Sequence, residues 1–106
     1  MADWKIEKSL DVLVAALCLD YGRRQKAIDE RMMSSRTDTE FRYYNFKIFD
    51  AAAEIVGEIY ADTYIEEIGT HTGYAKSRVG FVSEGTYKKF KRLVCDNIAR
   101  KLHLCD

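Results

Sequence analysis

Proline is absent from the 106-residue sequence. Because proline kinks or breaks helices, its absence removes the strongest helix stop signal, and breaks between elements have to come from glycine and polar residues. Most of the glycines lie in the second half of the chain, at Gly57, Gly69, Gly73, Gly80 and Gly85. The sequence therefore allows long helices, above all in its first half.

Disulfide patterns and long apolar runs are also lacking. The three cysteines, Cys18, Cys95 and Cys105, have no paired spacing, and their odd number argues against a disulfide framework, so we expect a reducing compartment. The apolar run from Val12 to Leu19 follows acidic residues rather than a basic segment, and it is far shorter than the about 20 residues that span a bilayer. We therefore expect a cytoplasmic protein with no membrane partner.

The net charge is zero, because 17 basic residues balance 17 acidic ones, but the charges are unevenly spread. Residues 1–69 carry nine Lys/Arg and fourteen Asp/Glu, a net charge of −5. Residues 70–106 carry eight Lys/Arg and three Asp/Glu, a net charge of +5. The basic C-terminal part is therefore the part of the chain that favours binding to an acidic partner.

Apolar residues at helical spacing predict two long helices in the first half. The first is expected from about residue 3 to residue 33, with Cys18 in its most apolar stretch and a bend or break allowed at Gly22. After a loop at residues 34–36, Thr37 as N-cap and Glu40 form a capping box that opens the second helix. Gly57 either ends this helix or kinks it. Its predicted buried stripe consists of Phe41, Tyr44, Ile48, Ala52, Ile55 and Ile59.

The second half predicts shorter elements. A loop is expected from Gly69 to Gly73, a short helix from Tyr74 to Val82, and a last helix with Ser83 as its N-cap. The apolar face of that last helix consists of Tyr87, Phe90, Val94, Ile98 and Leu102. Since no strand-like alternation is found, the sequence predicts an all-α fold. We expect a single helical domain over residues 1–106, built as a compact orthogonal or irregular bundle of four to five helices.

Metal and catalytic motifs are lacking. Cys95, His103 and Cys105 have the spacing C-x7-H-x-C, which is not that of a zinc site. His71 and His103 are the only histidines, no Ser or Cys lies in a nucleophile motif, and residues 69–73 lack the phosphate-loop pattern. We therefore expect no metal, no cofactor and no enzymatic activity.

Five carboxylates recur every four residues, at Asp50, Glu54, Glu58, Asp62 and Glu66. On one continuous helix they would form a slowly winding acidic stripe. No Glu has a His three residues later, as the di-metal carboxylate bundles require. The stripe is therefore either a solvated face or a docking surface for a basic partner.

Several cations follow the capped start of the last helix. Helix-turn-helix proteins present the first turns of their second helix to the major groove, where Lys and Arg neutralise phosphates or bind guanine edges. The short helix and the turn expected before Ser83 would complete such a motif. The alternative is the solvated basic face of an ordinary amphipathic helix.

The same residues carry a resemblance to a known family. The pattern S-x-x-T-Y-x-x-x-K that starts at Ser83 and the pattern I-A-x-x-L that starts at Ile98 resemble the C-terminal helix of sigma-factor-like regulators found in phages and mobile elements of Gram-positive bacteria, the ArpU and RinA groups. The resemblance covers about Tyr64 to Leu104. The segments R-R-Q-K-A-I at residues 23–28 and Y-Y-N at residues 43–45 also resemble small proteins of this kind. The resemblance implies a helix-turn-helix and a role in transcription regulation.

The sequence thus predicts a small DNA-binding accessory protein or transcriptional regulator that binds double-stranded DNA through its basic C-terminal helix. The residues expected to contact DNA are Lys88, Lys91 and Arg92, supported by Lys89, Lys76 and Arg78. The alternative is a protein-protein interaction module that docks its acidic helix face on a basic protein partner, without nucleic acid or catalysis.

Overall fold

The computed structural model describes the backbone of residues 3–31, 34–79 and 81–104, and the side chains of these ranges from residue 10 onward. This part of the chain contains α-helices and one turn of 3₁₀ helix, and no strand. The α-helices are α1 (Asp3–Leu19), α2 (Tyr21–Glu30), α3 (Ser35–Val56), α4 (Glu58–Gly69) and α5 (Glu84–Lys101), and the 3₁₀ helix is Tyr74–Lys76. The predicted all-α bundle of four to five helices is confirmed.

The main core lies where α1, α3, α4 and α5 meet. The long helix α3 packs against α2, α4 and α5, and α1 packs against α4 and α5. The core includes Val14, Cys18, Ile48, Ala52, Ile65, Val94 and Ile98, all of them buried. Each large aliphatic side chain buried in this way contributes about 1.5–3 kcal/mol. The predicted burial of Cys18 and of the middle of the α5 stripe is therefore confirmed.

The first predicted helix is divided into two. α1 ends at Leu19 and α2 begins at Tyr21, so the break falls at Asp20 and not at Gly22. The buried Arg24 supports this break, because its guanidinium donates 2.7 Å to the carbonyl of Leu17, in the last turn of α1. A carbonyl there has no partner within its own helix. The end predicted near residue 33 is wrong: α2 ends at Glu30, because Arg31, with φ of 53°, adopts the left-handed conformation that closes the helix.

The start of α3 differs from the prediction by three residues. Ser34 is the N-cap, with extended backbone, and its hydroxyl accepts a 3.3 Å hydrogen bond from the Thr37 backbone N–H. The capping box with Thr37 as N-cap is therefore wrong, and residues 35 and 36 are helical rather than loop. The two segments compete because both place a hydroxyl residue before a helical pattern.

The predicted stripe of α3 is only partly correct. Ile48 and Ala52 are fully buried, whereas Tyr44 is 38% and Ile59 85% exposed. The helix ends at Val56 because Gly57, with φ of 86°, has a backbone conformation that terminates it. Ile59 consequently belongs to α4. The buried face of α4 does not continue the buried face of α3, so Ile59 is not part of the stripe.

This break at Gly57 also divides the acidic residues between two helices, so the continuous stripe is not formed. On α3, Asp50 and Glu54 lie 3.1 and 2.6 Å from the Lys101 amine of α5. On α4, Glu66 lies 2.7 Å from the Arg78 guanidinium. Three of the five carboxylates are therefore paired with cations of the C-terminal part of the chain.

The α-helix predicted from Tyr74 to Val82 is wrong. Only Tyr74–Lys76 is helical, as one 3₁₀ turn, and Ser77 is extended. The cause lies in α4, where the buried carboxylate of Glu67 accepts 2.8 Å from the Arg78 backbone N–H and 2.7 Å from the Ser77 hydroxyl. These bonds hold the segment in a non-helical path. Residues 74–79 and 81–83 therefore provide no α-helix that could pair with α5 as a helix-turn-helix.

Candidate functional site

The start of α5 is as the sequence predicts. Ser83 is extended and its hydroxyl accepts a 3.2 Å hydrogen bond from the Thr86 backbone N–H. The cap fixes where the helix begins and hence the direction of each following side chain. Residues three, four and seven positions apart then share one face.

A cavity of about 320 Å³ lies between α1, α5 and the end of α4. Lys88, Lys91 and Arg92 line it from α5, which brings together three of the six predicted DNA-contacting residues. His71 lines it from the segment after α4, where a φ of 57° turns the chain back. The remaining lining residues include the apolar side chains of Ala15, Ile68 and Cys95. We call this site the cationic cavity.

Asp11 of α1 is the acidic member of the cationic cavity. Its carboxylate accepts from the Arg92 guanidinium at 2.9 Å, and Arg92 also donates 2.8 Å to Asp96, one turn further along α5. The hydrogen bond from Arg92 lowers the pKa of Asp11, and the two carboxylates raise the pKa of Arg92. The pair holds α1 against α5 at one side of the cavity.

Lys91 is positioned by the loop after α4. Its amine donates 2.6 Å to the backbone carbonyl of Thr72 and lies 5.4 Å from the centre of the Tyr87 ring. The second contact is a cation–π interaction between the Lys91 amine and the ring. Lys91 and His71 thus line the same cavity, Lys91 from α5 and His71 from the segment after α4.

Lys88 lies at the outer edge of the cationic cavity. Its amine is 2.9 Å from Glu84 on the preceding turn, and the two side chains are 69% and 58% exposed. Exposed pairs four residues apart on a helix contribute only about 0.3–0.5 kcal/mol. Lys88 can therefore leave Glu84 for a stronger anion at little cost.

The other three predicted cations lie outside the cationic cavity. Lys76 and Lys89 are exposed and have no ion-pair partner among the side chains that the structure describes. Arg78 is paired with Glu66 and lies 3.9 Å from Glu67. Of these three cations, Lys89 is the nearest in the chain to the residues that line the cavity, because it follows Lys88 on α5. Its side chain is exposed.

The sequence places His71 in the predicted loop at residues 69–73, and the structure brings it to the cationic cavity. The signal that could have found it is its place just after α4. A residue that follows a helix end can turn back over the helix and meet a neighbouring one. Its neighbours on α5, however, lie far along the chain, and no local pattern indicates them.

A larger cavity, about 730 Å³, is a groove between α2 and α4. Asp29 and Glu30 line it from α2, and Asp62 and Glu66 line it from α4, with Lys26 as the one basic residue. We call it the acidic groove. The described residues hold no group of three or more His, Cys, Asp or Glu side chains arranged to bind a metal ion.

No helix in the described ranges is both long enough and apolar enough to cross a membrane. Comparison of the chain with protein-family models, with curated proteins and with solved structures finds no match. The geometry of the chain's own residues therefore carries the functional argument.

Proposed function

We propose that this protein binds double-stranded DNA through the phosphate backbone, as a small cytoplasmic accessory protein or transcriptional regulator. The observation that carries the proposal is the convergence of His71, Lys88, Lys91 and Arg92 on one cavity. The exposed Lys89 extends this basic surface along α5. The resemblance of residues 83–102 to sigma-factor-like regulators of phages and mobile elements supports the same interpretation.

The ion pairs around the cavity are compatible with phosphate binding. Glu84 and Asp96 are the only acidic residues between positions 70 and 104, against eight Lys/Arg. Exposed pairs contribute about 0–1 kcal/mol, whereas hydrogen bonds from Arg or Lys to phosphate are charge-assisted and stronger. A DNA phosphate would therefore replace Glu84 on Lys88 and share the guanidinium of Arg92 with its carboxylates.

The expected mode of binding is backbone contact rather than base reading. Gly85, in the first turn of α5, has no side chain for a base edge, and the preceding segment is not a helix that could cross the backbone. Phosphate contacts position a protein on DNA without specifying a sequence. Affinity should therefore depend strongly on salt and weakly on sequence.

The test is fluorescence anisotropy with a labelled mixed-sequence duplex at increasing salt. Three phosphate contacts predict a log–log slope of about −3, since each contributes about −0.9. The triple variant Lys88→Gln, Lys91→Gln and Arg92→Gln should flatten this slope by two to three units, roughly the contribution of the contacts it removes. Lys91 and Arg92 also make contacts within the protein, so the variant has to be checked for folding. Its circular dichroism spectrum should match that of the unchanged protein.

The matched control removes the same charge elsewhere, with Lys26→Gln, Arg31→Gln and Arg36→Gln, all exposed residues of α2 and α3 or the turn between them. Its slope should stay within about one unit of the unchanged protein. If both triple variants flatten the salt slope equally, the loss of net charge alone explains the change, and the cationic cavity has no specific role. Absence of binding at about 50 mM salt, with a Kd weaker than about 10⁻⁴ M, would overturn the proposal.

A second candidate is the protein-protein interaction module, favoured by the acidic groove. A groove between two helices receives an amphipathic helix of a partner, and the four carboxylates on its sides favour a basic one. A Lys-rich amphipathic helical peptide should bind, and Asp29→Asn with Asp62→Asn should weaken it. Asp38→Asn with Glu40→Gln, which lie outside the groove, is the control.

A further inference from the structure

Three cations of α5 share one face of that helix. Lys91 and Arg92 follow Lys88 by three and four residues, a spacing that places Cβ atoms about 5–6 Å apart on a helix. All three line the cationic cavity, and His71 lines it from the segment after α4. The cavity volume of about 320 Å³ is close to the lower end of the range for small-molecule sites, about 300–1,000 Å³. One small anion in the cavity is therefore within reach of several donors at once.

The three cations keep N–H groups for a ligand beside their internal contacts. Arg92 donates four hydrogen bonds to its two carboxylate partners, which leaves one of the five N–H groups of a guanidinium. Lys91 donates to the Thr72 carbonyl, which leaves two of the three N–H groups of an amine. Lys88 pairs with Glu84 at the exposed edge of the cavity, and such a pair contributes little. An anion with several acceptor oxygens is the ligand that suits these donors.

The charge of the cationic cavity distinguishes two kinds of phosphate. Its charged lining residues are Lys88, Lys91, Arg92 and Asp11, which give a net charge of +2 with His71 neutral. A phosphate within a DNA strand is a diester with one negative charge. A phosphate at a strand end is a monoester, with a charge of about −1.5 to −2 at pH 7 and three acceptor oxygens instead of two. The monoester therefore matches the charge of the cavity and accepts more of its free N–H groups.

The walls of the cavity strengthen this preference. Ala15 and Ile68 line it as buried apolar side chains. A cleft that combines an excess of one charge with apolar walls focuses the electric field on a ligand. The gain from a second negative charge on the ligand is therefore larger in this cavity than on an open helix face.

We infer that the cationic cavity holds the terminal phosphate of a DNA strand, a phosphomonoester, in preference to phosphates within the strand. The inference rests on the proposed function, because that function names DNA as the source of the phosphate. At a strand end, Lys88, Lys91 and Arg92 converge on one phosphate, and the exposed Lys89 is left to contact the next one. Along an uninterrupted duplex the same residues contact internal phosphates more weakly. The protein should therefore accumulate at DNA ends.

Fluorescence anisotropy with two duplexes of one mixed sequence tests the inference. One duplex has 5′-hydroxyl ends and the other has 5′-phosphate ends, and a fluorophore at a 3′ end leaves the 5′ ends free. At about 100 mM salt, the 5′-phosphate should lower the Kd by about tenfold or more, since one additional charge-assisted hydrogen bond is sufficient for that change. Equal Kd values would overturn the inference and leave the proposed function standing. Absence of binding by both duplexes would overturn both.

The ratio of the two Kd values shows whether the preference belongs to the cavity. In Lys88→Gln with Lys91→Gln, the two duplexes should bind equally. Lys88→Gln alone, which leaves the Lys91 contact with Thr72 intact, should reduce the ratio. The matched control, Arg31→Gln with Arg36→Gln, removes two exposed charges outside the cavity and should retain the full ratio. A ratio that is unchanged in both Lys88 variants, or that the control reduces as much, would overturn the inference.

Free nucleotide separates the two sources of a phosphomonoester. Thymidine 5′-monophosphate carries the same group as a strand end, and thymidine lacks it. The monophosphate should displace the 5′-phosphate duplex where thymidine does not, but it should bind more weakly than the duplex because it lacks the neighbouring phosphate that Lys89 contacts. A monophosphate that binds as tightly as the duplex would identify a free phosphomonoester as the ligand and overturn the assignment to strand ends. A monophosphate that competes no better than thymidine would overturn the monoester site itself.

Discussion

The Tyr87 hydroxyl donates a 2.8 Å hydrogen bond to the carboxylate of Glu67, twenty residues earlier in the chain. The same carboxylate accepts from the Ser77 hydroxyl and the Arg78 backbone N–H. Burial alone would raise the pKa of Glu67, but the hydrogen bonds outweigh it and hold the pKa below its usual value. Burial raises the pKa of Tyr87 to about 12, with a further contribution from the carboxylate. One buried charge thus joins α4, α5 and the segment between them.

Replacing this carboxylate by an amide should destabilise the protein. In Glu67→Gln, the amide NH₂ replaces one acceptor oxygen, so either the Arg78 N–H or the protons of the Ser77 and Tyr87 hydroxyls lose that acceptor, even if a hydroxyl turns to accept from the amide. We expect a loss of about 1–3 kcal/mol in the free energy of unfolding, measured by urea denaturation. Glu66→Gln is the matched control, because Glu66 is 63% exposed and its pair with Arg78 contributes about 0–1 kcal/mol. Equal losses in the two variants would contradict the role given to Glu67.

The same carboxylate predicts a dependence of stability on pH. The pKa of Glu67 is lower in the folded protein than its ordinary value of 4.5, so the folded state binds fewer protons than the unfolded state. Its contribution is therefore complete above about pH 4.5 and is lost as the pH falls through the lower folded pKa. Denaturation measured from pH 7 downward should show a steeper decline below pH 4.5 in the unchanged chain than in Glu67→Gln. Parallel curves would contradict this.

Gly69 and Gly22 should respond oppositely to alanine. A Cβ on Gly69 would lie 2.5 Å from the backbone nitrogen of Leu19 and 2.6 Å from its Cα, so backbone has to move. We expect Gly69→Ala to destabilise the protein by about 1–3 kcal/mol. A Cβ on Gly22, near the start of α2, meets no atom within 4 Å, and Gly22→Ala should stabilise by up to about 1 kcal/mol. Thermal unfolding measures both changes.

The N-cap of α3 can be located by two substitutions. Ser34→Ala removes the hydroxyl that accepts from the Thr37 backbone N–H and should cost about 0.5–2 kcal/mol. Thr37→Ala retains that N–H and loses only a side-chain contact of 3.2 Å with Ser34, so it should cost less. Urea denaturation of the two variants decides between the positions. A larger loss for Thr37→Ala would restore the start that the sequence predicts.

Local signals predicted the parts of the fold that depend on neighbouring residues. Ser83 caps α5 because its acceptor and the donor of Thr86 are three residues apart, and the buried positions of α5 follow from spacing alone. Gly57 ends α3 because of its own backbone conformation. These features need no knowledge of the rest of the chain.

The misplaced N-cap of α3 came from two competing local signals, but the other main errors arose where distant residues determine the local structure. The segment from Tyr74 to Val82 has a helical pattern, but Glu67 accepts from the backbone N–H of Arg78, and only the 3₁₀ turn Tyr74–Lys76 is helical. In the site, the sequence identified Lys88, Lys91 and Arg92 but gave no indication of Asp11, which lies 81 residues before Arg92. It also left His71 out. Such contacts depend on tertiary packing, and the spacing of residues along the sequence does not predict tertiary packing.

The Glu67 hydrogen bonds have a consequence for proteolysis. Lys76 and Arg78 are trypsin sites in an exposed connection, where cleavage would ordinarily follow local fluctuation. The Ser77 hydroxyl and the Arg78 backbone N–H, however, are bound to the buried carboxylate of Glu67. To enter a protease active site, the segment has to break those bonds and separate the Tyr74 ring from the Tyr87 ring, whose centres lie 5.7 Å apart. Cleavage there should accordingly be slower than in an unbound loop, and its rate should report how often the segment detaches from Glu67.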